Sequence, residues 1–141
     1  MAKKSALVIS AHAADFVWRC GGAIALHQKL GYEVTIVCLS FGERGESGNL
    51  WKRGKSLEEI KTIRRCEAEN AASVLEANDI QFYDLGDYPL VVDQDAKFRL
   101  VDLMRNVNPS FIMSHSLYDP YNVDHMNTSS IVIECRMIAQ A

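Results

Sequence analysis

His12 and Asp15 stand just past an apolar run, Ala6-Leu7-Val8-Ile9, with only Ala13 and Ala14 between them. Far along the chain, "DPYNVDH" carries Asp119, Asp124 and His125. Imidazole nitrogens and carboxylate oxygens ligate divalent metals. Two histidines with a carboxylate, leaving coordination positions open, suit a catalytic site for Zn²⁺ ahead of Fe²⁺. The intervening alanines can neither ligate nor ionise. None of the four cysteines adjoins these residues, which argues against a closed structural zinc site. "CGGAIAL" is not GxGxxG, no glycine pattern fits a P-loop, and no GxSxG elbow occurs, so nucleotide binding and serine hydrolysis are set aside.

For these groups to meet, the elements between them must bring two distant segments together. Residues 5–10 read as a buried strand, and Asp15 opens a helix closed by Gly31, with Val17, Cys20, Ile24, Leu26 and Leu30 at helical spacing. A second strand covers 33–40, followed by a glycine-rich loop over 41–55 that is too long for a plain connector. Ser56 and Glu59 have capping-box spacing at the start of a long amphipathic helix. Then come a strand at 80–85, a helix at 96–107 ending before Pro109, a strand at 110–116 and a loop holding Asp124 and His125. A last helix starts at Thr128 and continues to the final residue.

Alternating strands and helices predict an α/β fold: a Rossmann-like, doubly wound, mainly parallel sheet with flanking helices, in one domain over 1–141. With only four strands and a helical pattern at its last residue, the chain leads us to expect a C-terminal continuation. In the order 3-2-1-4, strands 1 and 4 are neighbours at the switch point, where ligands bind beside carboxyl ends. Either motif alone is commonly structural; their meeting there carries the metal reading. His115 is expected to be an outer partner of that site or a hydrogen-bonded core histidine, and His27 to face solvent. Trp18 is assigned to core or interface. Arg64-Arg65 reads as a charged helix face, and Asp87 in "LGDYPL" as a weak candidate near the crevice.

A net charge of −3 gives no basic footprint for nucleic acid, and no apolar run is long enough to span a membrane. "MAKKSALVIS" lacks a signal-peptide pattern, so we expect a cytoplasmic protein with Cys20, Cys38, Cys66 and Cys135 as reduced core thiols.

His12-Ala13-Ala14-Asp15 with Asp124-His125 resembles the metal site of the PIG-L/LmbE-like zinc deacetylases. Their first motif is usually His-Pro-Asp-Asp, and their second ends in Asp-His ahead of a helix. The resemblance spans essentially the whole chain and implies that His12, Asp15 and His125 are zinc ligands. Two departures matter. The family's general-base aspartate falls at Ala14, and a further family histidine falls at Asn122. Losing a general base costs about 10²–10⁴ in rate, so a weak amidohydrolase is expected.

Within this superfamily, "AHAADFVWR", "SFGERGESG", "LGDYPL" and "DPYNVDH" together resemble the zinc-dependent 4-oxalomesaconate hydratases of gallate catabolism. That resemblance implies reversible addition of water to a small polycarboxylate, giving 4-carboxy-4-hydroxy-2-oxoadipate. Such a substrate calls for guanidinium forks, and Arg19 and Arg44 are the candidate clamps. Of Glu43 and Glu46, the latter is favoured as acid/base because Gly45 and Gly48 near it let backbone approach a ligand. Glu43 is left open between that role and a solvated loop charge. Asp124 is grouped with Glu46 as a catalytic carboxylate. A de-N-acetylase of an N-acetyl sugar, or a non-catalytic metal and oxo-acid binding domain, are the alternatives. Homo-oligomerisation is an expectation from the family.

Overall fold

β1 (Ser5–Ser10) is buried at every position because helices cover both faces of the sheet it centres. The computed structural model describes residues 4–141. Along the chain follow α1 (Asp15–Lys29), β2 (Glu33–Cys38), α2 (Gly48–Lys52), α3 (Leu57–Val74), β3 (Asp79–Phe82), α4 (Gln94–Val107), β4 (Phe111–Met113) and α5 (Val123–Gln140). The strands are parallel in the order β3-β2-β1-β4, with Ser5 opposite Glu33 and Ala6 opposite Phe111.

Strand alternation divides the core in two. Leu7, Ile9, Val37 and Leu39 point to one face, against Leu100, Val101 and Met104 of α4 and Val132 and Cys135 of α5. Ala6, Val8, Val34 and Ile36 point to the other, against Phe16 and Ile24 of α1 and Ala68 and Ala72 of α3. Helix starts and stops follow local chemistry. Ser56 and Glu59 form the reciprocal capping box at α3, Asp93 caps α4, and Asn108 ends α4 in a left-handed conformation.

Four expectations change. First, α5 begins at Val123 and not near 128, since the Asn122 side chain caps it by accepting the His125 N–H. Asp124 and His125 therefore sit in a rigid first helical turn. Second, α1 turns Phe16, Cys20 and Ile24 inward, at a spacing of four residues, and leaves Val17, Leu26 and Leu30 exposed. Third, His27 does not face solvent: Nδ1 meets the Ala23 carbonyl at 2.8 Å and the ring packs on Tyr32 and Phe111. Fourth, Cys38 and Cys135 are core thiols, but Cys20 is half-buried and Cys66 lies exposed on α3. Among the described residues, no helix is long and apolar enough to cross a membrane.

Candidate active site and metal centre

The carboxyl ends of β1 and β4 lie side by side, so the turn after β1 meets the first turn of α5. His12 comes from that turn, Asp15 from the first turn of α1, His125 from α5, and Glu46 from the loop after β2. One ligand atom from each of these four lies within 4.8 Å of all the others.

Each imidazole is held from behind by a carboxylate. His12 Nε2 donates to Asp124 Oδ2 at 3.1 Å, and His125 Nδ1 donates to Asp119 Oδ2 at 2.9 Å. A carboxylate accepts only, so these outer nitrogens carry the protons and the inner ones keep lone pairs when a cation is present. Inward, His12 Nδ1 lies 3.3 Å from Asp15 Oδ2 and 3.2 Å from Glu46 Oε1, and His125 Nε2 lies 3.3 Å from Asp15 Oδ1. Yet His12 Nδ1 and His125 Nε2 are buried without a hydrogen-bond partner. Leaving such atoms unsatisfied costs about 1–3 kcal/mol each. A divalent cation among them satisfies both nitrogens and the Asp15 carboxylate at once, so the donor set fits Zn²⁺.

The electrostatics agree. Burial alone would lower the His12 pKa, but the carboxylates of Asp15 and Glu46 push it up to about 10 where no cation intervenes. His125 is raised in the same way by Asp15 and Asp119 against its burial. Asp15 is buried, which favours the neutral acid, but the three imidazoles of His115, His12 and His125 hold it far below the usual carboxylate range. Its Oδ2 also accepts the His12 N–H at 2.8 Å, which fixes the carboxylate against the β1 turn. His115 supports from outside: its ring stacks on His125 at 3.9 Å, and Nε2 accepts the Ala11 N–H at 3.0 Å.

Beside the cluster opens a cavity of about 510 Å³, lined by Ala14, Asp15, Trp18, Arg19, Glu46 and Arg64. Several placements correct the sequence reading. Trp18 is no core residue; it is 84% exposed at the cavity rim. Arg44 is not among the lining residues, and its Nη1 donates instead to the Asp87 carbonyl at 3.0 Å. Asp124 is not free to transfer protons. Its oxygens are taken by His12 and by the N–H groups of Tyr88 and Leu90, each at 2.9 Å. Glu43 is no solvated charge: it is buried, burial pushes its carboxyl up, and Oε2 accepts the Phe41 N–H. Asp87 anchors the loop, accepting from the N–H groups of Arg44 at 2.9 Å and Gly45 at 2.7 Å.

Arg64 is the cavity residue that the sequence reading missed. Its Nε donates to the Phe41 carbonyl at 3.2 Å and Nη1 to Glu67 at 2.8 Å, which hold the guanidinium in place. A signal existed, because Arg64 continues the stripe Ile60, Ala68, Ala72 that α3 buries.

A parallel α/β sheet with a histidine–carboxylate cluster at its carboxyl edge places a candidate metal site where open sheets of this kind bind ligands. The chain belongs to the GlcNAc-PI de-N-acetylase (PIG-L) family, whose model matches residues 7–136. The 4-oxalmesaconate hydratase of Pseudomonas putida is 56% identical over 140 residues, covering 99% of this chain and 54% of that protein. The crystal structure of GalB, the 4-carboxy-2-hydroxymuconate hydratase from the same species, superposes with a TM-score of 0.95 at 56% identity, over 98% of this chain and 57% of that one. The N,N'-diacetylchitobiose deacetylase from Pyrococcus horikoshii gives a TM-score of 0.84 at 28% identity, over 96% of this chain and 50% of that one. The chain thus spans about half the length of these relatives.

Proposed function

We propose that the chain carries the metal site of a hydratase that adds water to the C=C bond of 4-oxalmesaconate, giving 4-carboxy-4-hydroxy-2-oxoadipate. The observation that carries this reading is the 56% identity to the Pseudomonas putida hydratase over 99% of the chain. The loss of a carboxylate at Ala14, which lines the cavity, supports it against amide hydrolysis. We further propose that the metal is Zn²⁺, that the substrate is a small polycarboxylate of gallate breakdown, and that the protein works in the cytoplasm.

In this reading His12, Asp15 and His125 hold the metal, with Asp124 and Asp119 orienting the two imidazoles. When bound, Zn²⁺ supplies Lewis acidity toward the oxo-acid end of the substrate. Arg19 and Arg64 bind substrate carboxylates from the cavity wall. Glu46, which lines the same cavity, accepts the proton of the attacking water as its oxygen bonds to carbon. The adjacent carbon, which gains the electron pair of the broken π bond, takes up a proton from solvent, and Glu46 returns its proton to solvent, so that H and OH are added in net.

The test follows the near-UV absorbance of 4-oxalmesaconate with zinc-loaded protein. Loss of the conjugated chromophore, stopped by chelator, restored by zinc and lost in Glu46→Gln, is the expected result. Acetate release from an N-acetyl sugar, with the chromophore unchanged, would place the chain with the deacetylases instead.

A further inference from the structure

Glu46 sits on a loop that gives it little support of its own. Gly45 precedes it, Gly48 follows two residues later, and its side chain is 27% exposed. Glycine-rich backbone loses more freedom on ordering than any other, so the carboxylate needs outside restraint to stay 3.2 Å from His12 Nδ1. Part of that restraint is local. Glu46 N–H and Ser47 Oγ both bond the Gly42 carbonyl, at 3.1 and 2.9 Å.

The same loop is also packed by Tyr88, some forty residues away in sequence, whose ring lies on Gly45. One face of its ring is stacked nearly parallel on the His12 imidazole, with centroids 5.5 Å apart and planes inclined by 12°. Its edge lies directly on Gly45, where any Cβ would collide with ring carbons Cδ2 and Cε2. The backbone of Tyr88 is held at φ 42°, a region that a non-glycine residue keeps only when its surroundings impose it. Those surroundings are visible. The Tyr88 N–H bonds Asp124, and its hydroxyl accepts from Asn122, the cap of the helix that carries His125. Gly45 is therefore explained by the tyrosine that lies on it, and not by an approaching ligand.

We propose that Tyr88 is a positioning residue: its ring, set between Gly45 and His12, fixes where the Glu46 carboxylate stands relative to the metal site. The proposal rests on the reading of Glu46 as the proton-transferring group, and the hydroxyl of Tyr88 plays no chemical part in it.

Three variants and one substrate-free signal test it. Tyr88→Ala removes the ring, Tyr88→Phe keeps the ring without the hydroxyl, and Gly45→Ala pushes the ring away from its other side. Displacing a reacting group by about 1 Å can cost 10²-fold, so Tyr88→Ala and Gly45→Ala are expected to lower kcat by that order with KM nearly unchanged. Tyr88→Phe, which keeps the ring and loses only the bond from Asn122, stays much closer to the wild-type kcat than Tyr88→Ala does. Because Tyr88 acts through Glu46, adding Tyr88→Ala to Glu46→Gln causes no further loss. With Co²⁺ as the metal, the visible spectrum of Tyr88→Ala shifts toward that of Glu46→Gln, and that of Tyr88→Phe does not. Multiplying losses in the double variant, an unshifted cobalt spectrum in both ring-displacing variants, or failure of Tyr88→Ala to bind cobalt would overturn the proposal. The last outcome would mean that the ring serves His12 alone. If the wild-type protein hydrates nothing, the proposed reaction fails, while the cobalt spectra still judge the role of Tyr88.

Discussion

Nε2 of His12 hydrogen-bonds Oδ2 of Asp124 at 3.1 Å, and this bond leaves the lone pair on Nδ1, the nitrogen that faces Asp15 and Glu46. An amide in place of the carboxylate can donate to Nε2 and move the ring proton to Nδ1, the proposed metal-binding nitrogen. Asp124→Asn is therefore expected to lower zinc affinity by about 10–100-fold, the range seen for outer-shell partners of ligating histidines. Competition with a chromophoric chelator measures it. Asp119→Asn acts likewise through His125, but from a side chain that is 21% exposed against 2% for Asp124, so its effect is expected to be the smaller.

Arg64 should read out in binding and not in turnover. Its guanidinium is held by Phe41 and Glu67, so under the proposed function it would meet a substrate carboxylate in a fixed orientation. A hydrogen bond to a charged group contributes about 1.5–3 kcal/mol, so Arg64→Met is expected to raise KM by roughly 10–100-fold with kcat little changed. Steady-state kinetics on 4-oxalmesaconate decides it. Arg44→Met, which removes a side chain outside the cavity, should leave KM near the wild-type value.

The sheet order and the meeting of the two segments that carry His12, Asp15 and His125 were legible in the sequence, because strand–helix alternation and right-handed crossovers leave few ways to wind four parallel strands. What was not legible depends on contacts between distant residues. Tyr88 on Gly45 has no periodic signature, and no local pattern separates Asp87 gripping a loop from Asp87 facing a ligand. Asn122 suits both a turn and a helix cap, so the start of α5 was read too late and Asp124-His125 was assigned to a loop. Of core or interface, the two places its type suggests for Trp18, the core is excluded, because α1 spends its inward face on Phe16, Cys20 and Ile24. Arg64 lay on a buried stripe, but its charge directed the reading to solvent.

The capping box at α3 gives a pH signature remote from the metal site. The Ser56 N–H bonds Glu59, with Lys55 beside it, and together they hold the Glu59 carboxyl down at about 2. A pKa depressed on folding contributes stability that is present above the ordinary carboxylate value of 4.5 and fades as pH falls through about 2. Glu59→Gln should therefore melt below the wild type at pH 6, with the difference vanishing near pH 2. Thermal denaturation followed by circular dichroism across that range checks the sign.

The four thiols should separate by reactivity. Burial pushes Cys20 and Cys135 up to about 11 and raises Cys38 further, while Cys66 stands exposed on α3. Iodoacetamide at pH 8 is expected to label Cys66 first and to leave Cys38 and Cys135 intact until the protein unfolds. Peptide mapping by mass spectrometry distinguishes the sites.

In the proposed reading His12 Nδ1 and His125 Nε2, buried without partners, are ligands of one divalent cation shared with Asp15. Crystals of the zinc-loaded protein, measured on both sides of the zinc absorption edge, test it most directly. A single anomalous peak within bonding distance of those two nitrogens and the Asp15 carboxylate is the predicted result. Zinc-loaded crystals with no peak there, or with zinc bound only at surface carboxylates, would contradict it.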